Sequence, residues 1–282
     1  MTTKTEQPLT LNHSIEDVDG RVTLRYSQAG VAELTLNRPE KHNAFDDSII
    51  QLLIEKLKAA ENNESTRVLV LKSNGKHFSA GADLNWMKRM AQNSHADNVQ
   101  DAANLAKLMQ TLNDFQHPTI ALIQGATYGG AVGLAACCDI VLAQDNARFC
   151  LSEVKIGLTP ATISPYVIRA IGERQARRFF LTAEVISAPE ALQIGLVHQL
   201  LSSYEALTNA ADAMIKQLTQ NSPKAVTAAK KLIADVSHKD LSSELIQHTV
   251  NGIADIRVSN EGQEGLSAFL NKRRPTWVSE EK

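Results

Sequence analysis

The chain has 282 residues, 29 lysines and arginines against 31 aspartates and glutamates (formal net charge −2), 43% hydrophobic and 21% charged residues. This ordinary composition carries enough apolar material for a sizeable core, and it argues against a disordered chain, a coiled coil or a stapled mini-protein. The length fits one large domain plus an appendage, or two domains. Near-neutral charge argues against nucleic acid as a partner, because phosphate binding needs a basic excess or stripe, and only Lys272-Arg273-Arg274 is locally basic. No run reaches the roughly 18 apolar residues of a membrane span, and the polar start Met1–Glu6 has no stretch of signal-peptide type. The expectation is a soluble, cytoplasmic protein with no membrane partner. Cys137, Cys138 and Cys150 form no framework spacing and read as buried packing residues.

Residues 1–20 are polar and without periodicity, and are expected to form a flexible leader. Val22–Tyr26 and Val31–Leu36 alternate in period two around Gln28-Ala29-Gly30, the pattern of a hairpin. From Asp46 onward Ile49, Ile50, Leu53, Ile54, Leu57 and Ala60 recur at helical spacing, which predicts a capped helix to about Asn62. Val68–Leu71 is a continuous apolar run between polar flanks, as a strand buried on both faces would be, and Ile120–Ile123 and Ile140–Ala143 repeat it. Helical stretches near 97–115 and 130–137 lie between, so strand and helix alternate and the fold class is α/β. Beyond Tyr204 the strand signals stop, and 206–218, 223–236, 241–257 and 261–270 carry helical periodicity. The expected division is a leader (1–20), an α/β core (21–204) and a C-terminal helical subdomain (205–282).

Three segments run from a strand into a glycine turn: Val68–Leu71 leading to Ser79-Ala80-Gly81-Ala82-Asp83-Leu84, Ile120–Ile123 leading to Gly125–Gly133, and Phe149–Leu158. A glycine turn that opens a helix exposes backbone N–H groups with no intrahelical partner, at the end where the helix dipole favours negative charge. Two such ends converging on one oxygen would make an oxyanion hole, able to hold the enolate of a thioester. Neither loop has the spacing of a nucleotide-phosphate loop, and glycine turns taken singly also serve only to reverse the chain. Glu153 stands among apolar and small residues, where desolvation would raise its pKa and suit it to proton transfer. A solvated surface glutamate is the alternative. His42, His77 and His117 lie near these motifs, but no pair has metal-ligand spacing, so no metal is expected.

Asn37–Ala44, Phe78–Leu84, Gly125–Asp139, Ser152–Gly157 and Gly265–Arg273, in this order, resemble the enoyl-CoA hydratase/isomerase (crotonase) superfamily over nearly the whole chain. The resemblance implies a spiral of ββα units followed by helices that assemble trimers, so a homotrimer or dimer of trimers is expected. It implies that the amides of Ala82 and Gly130 form the oxyanion hole and that Glu153 is the acid/base. Lys41, Ala44, Ala80, Asp83 and Leu84 would line the coenzyme A channel, and Phe269 and Lys272 would reach coenzyme A, often that of a neighbouring subunit, unless Lys272-Arg273-Arg274 is a solvated basic tail. Trp86, just after the first loop, reads either as an acyl-pocket wall or as an ordinary core residue. Coenzyme A would be part of the substrate, an acyl-CoA thioester, with no other cofactor. Hydratases of this family usually carry a second glutamate three residues after the second oxyanion-hole glycine, and here that position is Gly133. The wording of Phe78–Met87, Gly129–Leu134 and Cys137–Asp139 is most similar to bacterial methylglutaconyl-CoA hydratase-like proteins of leucine breakdown. The implied activity is hydration of a branched or carboxylated 2-enoyl-CoA, Gly133 leaving room and removing a repelling charge beside the acyl group. The alternatives are a double-bond isomerase with Glu153 as sole base and a non-catalytic acyl-CoA binder or assembly module.

Overall fold

A computed structural model describes residues 11–16 and 20–278. Strands β1 (Leu11–Glu16), β2 (Val22–Ser27), β3 (Val31–Leu36), β4 (Val68–Ser73), β5 (Thr119–Ile123), β7 (Ile140–Gln144) and β10 (Gln199–Leu201) form one sheet in the order β1-β2-β3-β4-β5-β7-β10. The β1–β2 and β2–β3 pairs are antiparallel, and the rest are parallel. A second, smaller sheet joins β6 (Ala126–Tyr128), β8 (Arg148–Cys150) and β9 (Ile186–Ser187). The helices are α1 (Asp47–Asn62), α2 (Leu84–Met90), α3 (His95–Asn113), α4 (Gly130–Cys137), α5 (Ser164–Thr182), α6 (Ala188–Gln193), α7 (Tyr204–Thr219), α8 (Pro223–Val236), α9 (Ser243–Val258) and α10 (Asn260–Leu270).

Parallel strands covered on both faces lose the alternation of apolar and polar residues, and β4 follows this rule. Leu69 and Leu71 pack into the main core with Ile49, Ile50, Leu53, Ile54 and Leu57 of α1, while Val68 and Val70 point the other way, to Leu207, Ala211 and Ile215 of α7. Each such side chain, fully buried, contributes about 1.5–3 kcal/mol. Of Asp46 and Asp47, both placed by the sequence to cap α1, Asp46 does so by accepting the Ile49 N–H at 2.9 Å.

Two boundaries differ from the sequence expectation. Residues 11–16, placed in the leader, form β1 on the outer edge of the hairpin; main-chain pairing to β2 does not require an apolar period in the added strand. The other residues before 20 lie outside the described residues. Helix α7, placed in the C-terminal subdomain, instead covers the second face of the sheet, leaving α8, α9 and α10 as the separate helical layer. The three cysteines are buried, and burial pushes the Cys138 thiol up to about 12.

Candidate active site

Three chain segments run side by side in parallel register below the site. Ser79 bridges Thr127, and Thr127 pairs with Phe149. The ladder is continuous: the Ser79 N–H donates to the Ala126 carbonyl (3.1 Å), Tyr128 N–H to the Ser79 carbonyl (3.0 Å) and Gly129 N–H to the Cys150 carbonyl (2.9 Å). Three residues beyond the bridged pair, the first two segments reach Ala82 and Gly130. The third reaches Glu153 three residues beyond Cys150. Parallel register therefore carries the three segments singled out by their glycine turns to the same end of the layer.

The backbone at that end is special in ways only glycine satisfies. Gly81 has φ +95°, and a Cβ there would stand 3.2 Å from the Tyr128 carbonyl oxygen; Gly129 has φ +54° and ψ −125°. The chain at Ala82 is held through its neighbours: Phe45 N–H donates to the Gly81 carbonyl (2.8 Å) and Asp83 N–H to the Phe45 carbonyl (2.6 Å). In a bridge of this kind the Ala82 N–H points to the opposite side, and no partner for it is found among the described residues. Gly130 is the first residue of α4, so its N–H has no intrahelical acceptor. Neither amide has a hydrogen-bond partner among the described residues.

Glu153 opens a 3-10 turn, Glu153–Ile156, closed by Gly157 at φ +77°. A Cβ on Gly129 would lie 3.3 Å from Glu153 Oε1, so the carboxylate sits against the glycine that precedes the Gly130 amide. Its Oε2 is buried without a hydrogen-bond partner among the described residues, and burial pushes the carboxyl above its ordinary pKa of 4.5. Glu153 is thus half-buried, with one carboxylate oxygen withdrawn from solvent. A half-buried carboxylate with one oxygen unpartnered among the described residues, on a turn that abuts Gly129, is suited to proton transfer.

The remaining sequence-predicted residues divide. Lys41 is exposed in the 3-10 turn Pro39–Lys41, and Ala80 is exposed beside the first loop, its N–H bonded to the His42 carbonyl at 3.0 Å. Ala44 is buried, and Leu84 is 73% exposed at the start of α2. Asp83 is spoken for: it accepts the N–H groups of Asn85 (2.8 Å) and Trp86 (3.3 Å) as the α2 cap, and lies 3.8 Å from Arg38. Trp86 packs into the core, with its indole N–H unpartnered among the described residues. Phe269 and Lys272 lie on the surface at the end of α10, and no described contact joins them to Glu153. Arg38, which the sequence reading passed over, links two caps: it donates to Asp46 at 2.9 Å and faces Asp83, so one guanidinium ties the starts of α1 and α2 together.

Gly133 is a correction. It was expected to leave room beside the acyl group, but a Cβ at this position would lie 2.7 Å from Ile163 Cβ and 3.1 Å from Met109 Sδ, and nearer still to Ile163 Cγ2. Ile163, fully buried before α5, fills the space, so a larger side chain at 133 has no room without moving it. The loss of a carboxylate at this position stands, and the gain of volume does not.

The fold is that of a crotonase-type enzyme, with Ala82, Gly130 and Glu153 carried by three segments that end on one side of the small layer. Residues 26–280 match the enoyl-CoA hydratase/isomerase family. The chain is 34% identical over 249 residues to the 2,3-dehydroadipyl-CoA hydratase of Escherichia coli, covering 88% of this chain and 95% of that protein. It is 31% identical over 260 residues to a trans-2-decenoyl-acyl-carrier-protein isomerase of Streptococcus mutans, with coverage of 88% and 95%. The crystal structure of an enoyl-CoA hydratase from Shewanella pealeana superposes with TM-score 0.88 at 47% identity, over 91% of this chain and 96% of that one. The chain belongs to the enoyl-CoA hydratase/isomerase family, with relatives of both hydratase and isomerase name. Among the described residues no helix is long and apolar enough to cross a membrane, and no three His, Cys, Asp or Glu side chains gather as a metal site.

Proposed function

We propose that the protein hydrates a 2-enoyl-CoA thioester, with Glu153 as the single acid/base and the Ala82 and Gly130 amides as the oxyanion hole. The observation that carries the reading is the buried, unpartnered Oε2 of Glu153 on the turn that abuts Gly129. The thioester oxygen accepts both amide N–H groups, which draws electron density from C3. As a water oxygen bonds to C3, the carboxylate takes one of its protons, and the C2=C3 pair moves into the enolate held by the amides. Glu153 then returns a proton to C2, and the carboxylate is regenerated. Desolvation raises the proton affinity of Glu153, which favours its taking up the water proton.

The substrate we assign is branched or carboxylated, of the 3-methylglutaconyl-CoA type, as in leucine breakdown. The support is one of charge: with glycine at 133, a distal carboxylate meets Glu153 alone and not a pair. A second reading, a double-bond isomerase moving a proton between C2 and C4 on Glu153, draws support from Ile163, whose apolar branches stand where a second water-holding group would begin. A homotrimer or dimer of trimers is supported by the apolar side chains that α8, α9 and α10 present to solvent.

The test is a product-resolved assay on 3-methylglutaconyl-CoA, crotonyl-CoA and a 3-enoyl-CoA, read by mass. Water addition concentrated on the methylglutaconyl thioester is expected. Double-bond migration without a mass gain would overturn hydration in favour of the isomerase. Glu153→Gln should lower turnover by a factor of about 10³ or more while acyl-CoA binding persists; a wild-type rate in that variant would remove Glu153 from the mechanism, and absence of turnover by wild type on all three thioesters would point to a binder.

A further inference from the structure

The small parallel layer that delivers Gly130 is completed by a side chain at the point where its backbone ladder should continue. With Ser79 paired to Thr127, regular parallel register would bring the Ala126 N–H to the carbonyl of His77. That carbonyl is turned elsewhere, accepting Asn43 Nδ2 at 2.9 Å and Ser73 Oγ at 3.1 Å. The Ala126 N–H donates instead to His77 Nδ1 at 3.0 Å. The approach needs glycine at 125: a Cβ there would stand 2.6 Å from His77 Nδ1 and would overlap the Lys76 carbonyl.

Four residues after Ala126 the same chain presents the Gly130 amide. We propose that His77 is a positioning residue, whose neutral ring latches β6 and so fixes the Gly130 N–H where the thioester oxygen develops charge. This rests on the assignment of Gly130 to the oxyanion hole. Donor placement matters steeply in such a hole, because its benefit depends on amides already aimed at the developing charge. His42 belongs to the same device. Its carbonyl takes the Ala80 N–H of the first loop at 3.0 Å, and its ring meets that of His77 edge to face, centroids 5.2 Å apart. The two histidines thus brace the two loops that supply the two amides.

A ring nitrogen that accepts a backbone N–H must be unprotonated, so the neutral His77 carries its proton on Nε2. Protonating Nδ1 would set two donors against each other and open the latch. Partial burial, the adjoining His42 ring and Lys76 all disfavour the imidazolium and hold the His77 pKa below its ordinary 6.5. His42 and Lys76 are the titratable groups that face it.

Asparagine places Oδ1 near the position of a histidine Nδ1 and does not titrate, so His77→Asn keeps the acceptor without the switch. With the hydratable thioester, His77→Ala should lose about tenfold in kcat with KM changed less than about twofold, and His77→Asn should restore most of it. As pH is lowered from about 8 to about 5, wild type should lose an additional fraction of its rate that His77→Asn keeps, so the ratio of variant to wild-type kcat rises. The titration of Glu153 is common to both proteins and cancels in the ratio. A pH-independent ratio overturns the proposal, as does a wild-type kcat in His77→Ala; if the alanine variant fails to fold, the asparagine ratio decides alone. Loss of turnover in Glu153→Gln together with a flat ratio would reject the His77 latch while sparing the catalytic assignment, whereas a fully active Glu153→Gln would reject that assignment first.

Discussion

The strand ends beneath the site and the three helices at the C-terminus handle polar and apolar groups in opposite ways. Around Ser79, Thr127 and Phe149 the backbone is paired on several sides and the side chains are buried, yet the layer ends in glycines at positive φ and, among the described residues, in two amides and one carboxylate oxygen without a partner. Helices α8 and α9 bury no residue fully. With α10 they expose Ile233, Ile246, Val250, Ile253, Val258, Leu266, Phe269 and Leu270. One region holds unsatisfied polar groups in a rigid frame, and the other holds unsatisfied apolar surface. On the proposed reading, a reacting oxygen completes the first and an apolar protein surface the second.

The comparison breaks most sharply at Gly129. Alanine there would take up φ +54° and ψ −125°, outside the regions open to a side chain, and its Cβ would press on Glu153 Oε1 at 3.3 Å. Gly129→Ala should therefore lower kcat by about 10²–10³, the range for loss of one oxyanion-hole donor, with a smaller change in KM. Steady-state kinetics check this. Equal and large effects on KM alone would mean that the loop serves binding and not the enolate.

A smaller effect on the isolated chain is expected at Ile253 of α9, which is 51% exposed. Placed in a contact between subunits, an aspartate would be desolvated without a partner; left in water, it would be nearly neutral. If the proposed trimer forms through this face, Ile253→Asp should dissociate it in sedimentation or light scattering while the fold, read by circular dichroism, persists. An unchanged mass in solution would place the subunit contact away from this face.

These contrasts also mark what a sequence can carry. Helix α1 and strands β4, β5 and β7 were legible because each buries a run long enough to show its period, and the Asp46 cap precedes the first of them. Helix α5 was not, since Gly172 at φ +77° interrupts it and few of its residues are buried. Strands of two or three residues, such as β6, β8 and β9, have no period to read. In the site, the apolar neighbours of Glu153 announced a raised pKa, which the structure supports through burial. The filling of the Gly133 space by Ile163 was invisible, because it depends on a residue thirty positions away whose approach only the packing of α4 against α5 defines. The role of His77 has no local signature, because its bond to Ala126 spans 49 positions of chain that no sequence pattern links.

The same unsatisfied carboxylate should appear in stability as well as in rate, and here the effect is smallest. In the folded protein Glu153 holds its proton more tightly than in the unfolded chain, because burial disfavours the carboxylate. Between the ordinary value of 4.5 and the raised one, the folded state therefore binds more protons than the unfolded, and stability falls as pH rises through that window. Above it the full penalty persists, and below it the protonated carboxyl carries none. Glutamine has the same size and never ionises, so Glu153→Gln should be more stable than wild type near neutral pH. The gap should close as pH falls toward 4.5. Urea unfolding of both proteins across this range measures the difference directly. A gap independent of pH would mean that Glu153 keeps its charge at no cost in the fold, and the contrast between the polar strand ends at the site and the apolar C-terminal helices would lose its clearest electrostatic support.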